Sequence, residues 1–166
     1  MFIYLARHAW AGDFGDPQWP DDSLRELTPE GAERYAQMVE TLAGRGFAPR
    51  RIATSPYARC LQTAEIISRC TEHSPPVEVH DALAPGGGYA GLLEWSAACG
   101  GEDVCWVGHN PDMELVASAL VGGRGAGVRF AKGAIAAIRF DTPPGGGEPS
   151  TAGRLYWHVT AKSLGL

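Results

Sequence analysis

The chain has 166 residues and a mass of 17.6 kDa, the length of one ordinary domain, so we expect one domain spanning residues 1–166. Hydrophobic residues make up 45% and charged residues 20%, which argues against disorder and against a membrane-spanning chain. The formal net charge is −5. No segment collects enough positive charge to follow a phosphate backbone, so nucleic-acid binding is not expected.

The cysteines and the N-terminus indicate the compartment. Cys60, Cys70, Cys99 and Cys105 form no C-x-x-C pair and no Cys/His cluster at zinc spacing, so we expect free thiols and no metal site. The apolar run that begins at Phe2 is too short for a signal-peptide core and has no basic region before it. These features favour a complete, cytoplasmic protein without membrane association.

Short apolar runs alternate with longer periodic segments over the first two thirds of the chain, which is typical of βα units. The continuous apolar run 2–6 predicts a central strand that is covered on both faces. A loop rich in Gly, Pro and Asp, residues 12–23, follows it. Thr28 then provides an N-cap before Pro29, and apolar residues at helical spacing predict a helix that ends near Gly44.

The same alternation occurs twice more. Residues 51–55 predict a strand whose end, Ser55-Pro56, opens a helix. Residues 104–108 predict a buried strand that ends at 109–111 and leads directly into a helix through Met113 and Leu120. Between them the sequence predicts three further elements: a short strand at 77–79, a Pro-Gly-rich loop at 85–88 and a helix near 92–98.

The last third of the chain has a different pattern. Residues 134–140 and 155–160 predict two strands joined by the loop 142–153, forming a hairpin at the sheet edge. Together the elements predict an α/β protein. Its expected architecture is a three-layer αβα sandwich with a mostly parallel central sheet.

Polar residues follow three of the predicted strands at their carboxyl ends. Arg7 and His8 follow the first strand, Ser55 and Arg59 the second, and His109 the strand at 104–108. Open α/β sheets bind ligands outside the carboxyl ends of their strands, and helix N-termini at that edge favour anions. These five residues are therefore the candidates for a phosphate-binding site.

Four motifs follow one another along the chain: LARHA at 5–9, LTPEG at 27–31, TSPYARCLQTA at 54–64 and VGHNP at 107–111. Their order and spacing resemble those of the histidine phosphatase superfamily, whose fold is phosphoglycerate mutase-like. They lie between residue 1 and about residue 120. The short chain, Ala9 in place of the superfamily's common Gly, and the segment 83–87 are similar to its phosphohistidine phosphatase branch, the SixA type.

The resemblance implies that His8 is a nucleophile that takes the phosphoryl group, with Arg7, Arg59 and His109 around the phosphate. A neutral imidazole is nucleophilic near pH 7, and forked guanidinium groups stabilise charge on phosphoryl oxygens. We expect His109 to donate a hydrogen bond to the phosphate, best when it is protonated. Because cations and helix dipoles cover the phosphate charge, neither a metal nor another cofactor is expected.

The expected partner is a phosphohistidine-bearing protein or a small phosphorylated molecule. The loops 9–27 and 82–89 are short, so an open site would admit a histidine side chain from a protein surface. Trp10, Phe14 and Trp19 in the first loop are candidates to contact such a partner. The alternative is that these aromatic residues fold back onto the domain.

Three functions remain open. A phosphohistidine phosphatase that works through phospho-His8 fits best, because the region 82–93 contains no Asp or Glu where related enzymes place an acid for an alkoxide leaving group. An imidazole leaving group carries its own basic nitrogen and needs this acid less. With Asp81 as the acid, the protein would be a phosphomonoesterase of a small metabolite. A phosphate-binding module without catalysis is the third possibility.

Overall fold

The computed structural model describes residues 1–123, 127–144 and 152–166, and within these ranges six strands form one sheet. The strands are β1 (Phe2–Arg7), β2 (Arg51–Thr54), β3 (Val77–Val79), β4 (Val104–Gly108), β5 (Ile135–Arg139) and β6 (Arg154–Val159). The helices are α1 (Pro29–Ala43), α2 (Ala58–Cys70), α3 (Ala90–Ala98) and α4 (Asp112–Leu120). The described residues also contain three 3-10 turns, at Asp22–Leu24, Asp81–Leu83 and Ala161–Leu164.

The strand order across the sheet is β3-β2-β4-β1-β5-β6. The four strands from β3 to β1 pair in parallel, whereas β5 is antiparallel to β1 and to β6. The predictions of a mostly parallel sheet and of an edge hairpin are therefore confirmed. The loop expected at 142–153 lies partly outside the described residues.

Helices cover both faces of the sheet, which confirms the three-layer architecture. Successive side chains of a strand point to opposite faces, so β1 places Tyr4 in one core and Leu5 in the other. The first core also contains α1 and α2, and the second contains α3 and α4. None of the helices in the described ranges has the length and apolar character needed to cross a membrane.

Local sequence explains where α1 begins. The Thr28 hydroxyl accepts a hydrogen bond from the Gly31 amide at 3.0 Å, and Pro29 occupies the first helical position. Every third or fourth residue after that is buried, including Tyr35, Met38 and Leu42. The predicted bounds of this helix are confirmed.

Turns separate two of the strands from the helices that follow them, which matters for the residues at the sheet edge. Ser55 still pairs with the sheet, because its amide donates to the Val107 carbonyl at 3.0 Å. Its hydroxyl then accepts from the Tyr57 amide, so a turn separates β2 from α2. A turn also separates β4 from α4, and it contains the cis peptide bond before Pro111. The expectation that each strand continues directly into a helix is wrong.

Candidate active site

The five candidate phosphate-binding residues meet at the carboxyl edge of the parallel strands. Arg7 ends β1 opposite the end of β4, and the His8 amide donates to the Gly108 carbonyl at 3.0 Å. The ring centroids of His8 and His109 are 5.3 Å apart. Arg59 lies in the first turn of α2, with Nη2 3.3 Å from His109 Nδ1. Residues far apart in the sequence thus form one cluster.

His8 has the protonation state of a nucleophile. His8 Nδ1 lies 2.8 Å from the Ala9 carbonyl oxygen. Because a carbonyl oxygen can only accept a hydrogen bond, Nδ1 carries the proton and donates. In the neutral ring, Nε2 therefore carries the lone pair. Nε2 has no hydrogen-bond partner in the described ranges and is not among the fully buried polar atoms. Burial is the main cause that lowers the His8 pKa to about 3. Nearby positive charges add to this effect, namely those of Arg59, Arg7 and Arg25.

His109 is also neutral at pH 7. A guanidinium group only donates, so His109 Nδ1 accepts from Arg59 and its Nε2–H donates to Ser55 Oγ at 2.9 Å. Burial, followed by the charge of Arg59, lowers the His109 pKa to about 3. Donation from Nδ1 to a phosphoryl oxygen therefore requires that a bound phosphate dianion raise this pKa.

The 3-10 turn Asp22–Leu24 holds Arg59 in place. Arg59 is 4% exposed, its Nη1 donates to the Asp22 carbonyl at 2.7 Å, and its Nη2 forms an ion pair with Asp22 Oδ2 at 3.0 Å. Asp22 Oδ1 accepts from Arg25 Nε at 2.7 Å. Sequence reasoning missed Asp22 and Arg25, because neither lies at a strand end or a helix start. Their closeness to the LTPEG motif was the available signal.

A second set of hydrogen bonds holds Arg7. Arg7 Nη1 donates to the Phe130 carbonyl at 2.8 Å, and its buried Nε has no hydrogen-bond partner among the described residues. Asn110 Nδ2 donates to the same carbonyl at 3.0 Å and to Glu114 Oε1 at 2.8 Å. Glu114 Oε1 also accepts from the Phe130 amide at 2.9 Å. No motif in the sequence predicts this bracing of Arg7 by the segment before β5.

The remaining candidates lie at different places around the cluster. Ser55 is fully buried and bonds to His109, so its hydroxyl orients that ring. Trp10 folds back onto the protein, with the Arg34 guanidinium 4.2 Å above its ring, so contact between Trp10 and a substrate stays a prediction. Phe14 is 83% exposed, and Asp81 is an exposed residue at the start of a 3-10 turn.

The described residues contain no group of three or more His, Cys, Asp or Glu side chains placed to hold a metal ion. All four cysteines are unpaired thiols. The cluster at the sheet edge is instead cationic, with Arg7, Arg25 and Arg59 near two neutral histidines. Such a site is suited to bind an anion and to attack it with an imidazole nitrogen.

The sequence matches a known family. The model of the histidine phosphatase superfamily (branch 1) matches residues 3–94, more than half of the chain, and the chain belongs to this superfamily. It is 33% identical over 143 residues to an uncharacterised protein of Picosynechococcus, covering 84% of this chain and 85% of that protein. It is 28% identical over 167 residues to the phosphohistidine phosphatase SixA of Escherichia coli, covering 99% and 96% of the two chains.

A solved structure agrees with this assignment. The structure of the protein histidine phosphatase SixA complexed with tungstate superimposes with a TM-score of 0.83 at 25% identity, covering 99% of both chains. The phosphoglycerate mutase-like fold is thereby confirmed. The protein is a phosphatase, a hydrolase similar to SixA.

Proposed function

We propose that this phosphatase removes phosphate from phosphorylated histidine on a protein, through a covalent phospho-His8 intermediate. The observation that carries the proposal is the state of His8: its Nε2 is unprotonated and unpartnered beside a cationic cluster. The similarity to SixA over nearly the whole chain supports the choice of substrate. A phosphorylated small molecule is the alternative substrate that the experiment below must separate.

In the first step, His8 Nε2 attacks phosphorus. The P–N bond to the substrate histidine breaks, and its electron pair goes to the substrate's ring nitrogen. Arg7 and Arg59 stabilise the charge on the equatorial phosphoryl oxygens, since phosphoryl transfer depends mainly on positioning and electrostatics. The phosphate dianion raises the pKa of His109, which then donates to a phosphoryl oxygen.

In the second step, water hydrolyses phospho-His8. The water oxygen bonds to phosphorus, the P–Nε2 bond breaks with its electron pair returning to Nε2, and the proton that water loses passes to solvent. Inorganic phosphate leaves and neutral His8 is restored. Splitting one displacement into two in this way is the general advantage of covalent catalysis.

The site favours an imidazole leaving group over an alkoxide. An alkoxide needs a strong acid to protonate it, whereas a protonated phosphohistidine leaves as neutral imidazole. Asp81, the acid considered for a phosphomonoester, is exposed, and its carboxylate has no hydrogen bond or ion pair among the described residues. We infer also that the reaction proceeds without metal, since arginines supply the charge, and that the unpaired thiols suit a cytoplasmic protein.

The test compares phosphate release from a phosphohistidine-bearing protein and from an aryl phosphate, with a chelator present. We expect wild type to hydrolyse phosphohistidine faster, and His8→Ala to reduce both rates about a thousandfold or more, because it removes the nucleophile. Circular dichroism checks that the variant is folded. A radiolabelled phosphoenzyme, stable at alkaline pH, should form in wild type but not in His8→Ala.

Other outcomes would replace the proposal. Full activity in His8→Ala would show that another residue is the nucleophile. Hydrolysis of the aryl phosphate alone would indicate a phosphomonoesterase, and Asp81→Asn should then slow alkyl phosphates more than aryl ones. Tight binding of phosphohistidine without release of phosphate would indicate a binding module.

A further inference from the structure

A polar pocket of about 410 Å³ shares Arg7 with the candidate phosphate site. It lies where β1 and β4 end and β5 begins, and its volume exceeds the need of a phosphoryl group alone. Neither His8 nor Arg59 lines it, so it can receive the part of a substrate that extends past the phosphate. The polar side chains that line it are Arg7, Asn110, Glu114, Arg129 and Thr160.

Glu114 lines this pocket and uses only one of its two carboxylate oxygens in hydrogen bonds among the described residues. Its Oε1 is occupied twice, by Asn110 Nδ2 at 2.8 Å and by the Phe130 amide at 2.9 Å. Its Oε2 has no hydrogen-bond partner within the described ranges and is not among the fully buried polar atoms. The carboxylate is therefore held in one orientation by Oε1 while Oε2 is available to a ligand.

The orientation of the neighbouring amide is fixed by the same contacts. Asn110 Nδ2 donates to two acceptors, Glu114 Oε1 and the Phe130 carbonyl, so a flipped amide would set oxygen against oxygen. Glu114 Oε1 must therefore remain an acceptor, because a donor at this position would break its hydrogen bonds with Asn110 and Phe130. The free oxygen Oε2 stays an acceptor for a donor that enters the pocket.

The charges in the pocket match a ligand with an anionic end and an N–H donor at the other end. Arg7 is suited to a phosphoryl oxygen, and the Glu114 carboxylate is close enough to interact electrostatically with the Arg7 guanidinium. A phosphohistidine protonated on its second ring nitrogen has both features. An alkyl or aryl phosphate has the anion but no N–H.

We propose that Glu114 Oε2 accepts a hydrogen bond from the protonated ring nitrogen of the substrate's phosphohistidine and so selects an imidazole leaving group. The inference rests on the proposed function. When the P–N bond breaks, its electron pair goes to the nitrogen that held phosphorus. Because the other nitrogen already has a proton, the group leaves as neutral imidazole, and Glu114 favours binding of that protonated form.

Glu114→Gln tests this role with little change in shape. The amide oxygen can still accept from Asn110 and Phe130, while the amide NH₂ replaces the free oxygen and turns an acceptor into a donor. The readout is the ratio of kcat/KM for a phosphohistidine-bearing protein to kcat/KM for an aryl phosphate. We expect this ratio to fall about tenfold or more, the effect of losing a hydrogen bond to a charged group.

Asp112→Asn is the matched control. It removes one negative charge from the same helix, but Asp112 Oδ2 accepts from the Gly86 amide at 2.9 Å, outside this pocket. In Asp112→Asn, the ratio of kcat/KM for phosphohistidine to kcat/KM for the aryl phosphate should stay within about twofold of the wild-type ratio, since the variant changes only the general charge of the helix.

Three results would overturn the proposal. An unchanged ratio in Glu114→Gln means that Oε2 does not contact the ring. An equal loss on both substrates means that Glu114 acts only by bracing Arg7 through Phe130. A wild type that fails to hydrolyse phosphohistidine overturns the proposed function as well, whereas the first two results, with an active wild type, overturn this inference alone.

Discussion

Asp22 controls the placement of positive charge beside His8. Its carbonyl accepts a hydrogen bond from Arg59, and its carboxylate forms ion pairs with both Arg59 and Arg25, so one residue holds two guanidinium groups. Without this carboxylate, Arg59 would be a buried cation next to another cation, an arrangement that proteins avoid. Asp22 therefore fixes the positions of both guanidinium groups.

We expect Asp22→Asn to weaken inhibition by inorganic phosphate about tenfold, because Arg59 and Arg25 lose their shared charged acceptor. The measurement is the inhibition constant of phosphate against hydrolysis of an aryl phosphate. Asp21→Asn removes the same charge one residue earlier, from a side chain that accepts only from Ser23, and should change the constant less than about twofold. Tighter phosphate inhibition in Asp22→Asn would instead mean that its carboxylate competes with phosphate.

At the scale of single elements, the site depends on how strands and helices meet. β1 and β4 end side by side, and short turns after β2 and β4 place Ser55 and His109 before their helices begin. The start of α1 is equally constrained, because the Thr28 amide donates to the Trp10 carbonyl at 2.9 Å. This contact brings the first turn of α1 against the segment that follows His8.

Gly31 in that first turn has no room for a side chain. A Cβ there would lie 2.4 Å from the Trp10 carbonyl oxygen, which is backbone and cannot move aside easily. Replacing Gly by Ala usually stabilises a helix by up to about 1 kcal/mol. We expect Gly31→Ala to destabilise the protein instead, by about 2 kcal/mol, because the helix start must shift. Urea denaturation measures the free energy of unfolding.

Gly91 in α3 provides the comparison. A Cβ at Gly91 would meet nothing within 4 Å. Gly91→Ala should therefore leave the protein as stable as wild type or stabilise it by up to about 1 kcal/mol. If Gly31→Ala were as stable as Gly91→Ala, the contact between α1 and Trp10 would not constrain the fold.

For the whole molecule, keeping two buried histidines neutral links stability to pH. The pKa values of His8 and His109 are about 3 in the folded protein, against an ordinary value of about 6.5. Between these values the unfolded chain binds more protons than the folded protein, so the free energy of unfolding rises with pH. This contribution is complete above about pH 6.5 and is lost as the pH falls towards 3.

We expect acidification from pH 7.5 to 5.0 to cost about 2 kcal/mol of stability for each of these histidines. Urea unfolding at the two pH values measures the total, which includes other groups. His109→Gln isolates one contribution, since Gln can donate to Ser55 and accept from Arg59 but does not titrate. On acidification, the free energy of unfolding of His109→Gln should fall by about 2 kcal/mol less than that of wild type. Equal losses would mean that His109 is protonated in the folded protein at pH 5.0.

Much of the architecture could be predicted from local patterns. The apolar run at β1, the Thr28 cap with Pro29, and the buried run at β4 each depend on neighbouring residues only. The meeting of Arg7, His8, Arg59 and His109 followed from one general rule on the carboxyl ends of strands.

What the sequence by itself determined is therefore the order of the elements and the residue types at the sheet edge. The tertiary structure decided their partners and charge states. Arg7 bonds to a carbonyl 123 positions away and Arg59 to one 37 positions away, and no periodic pattern encodes such separations. The neutral state of His109 likewise depends on burial and on the approach of Arg59, and both arise only when remote segments pack together.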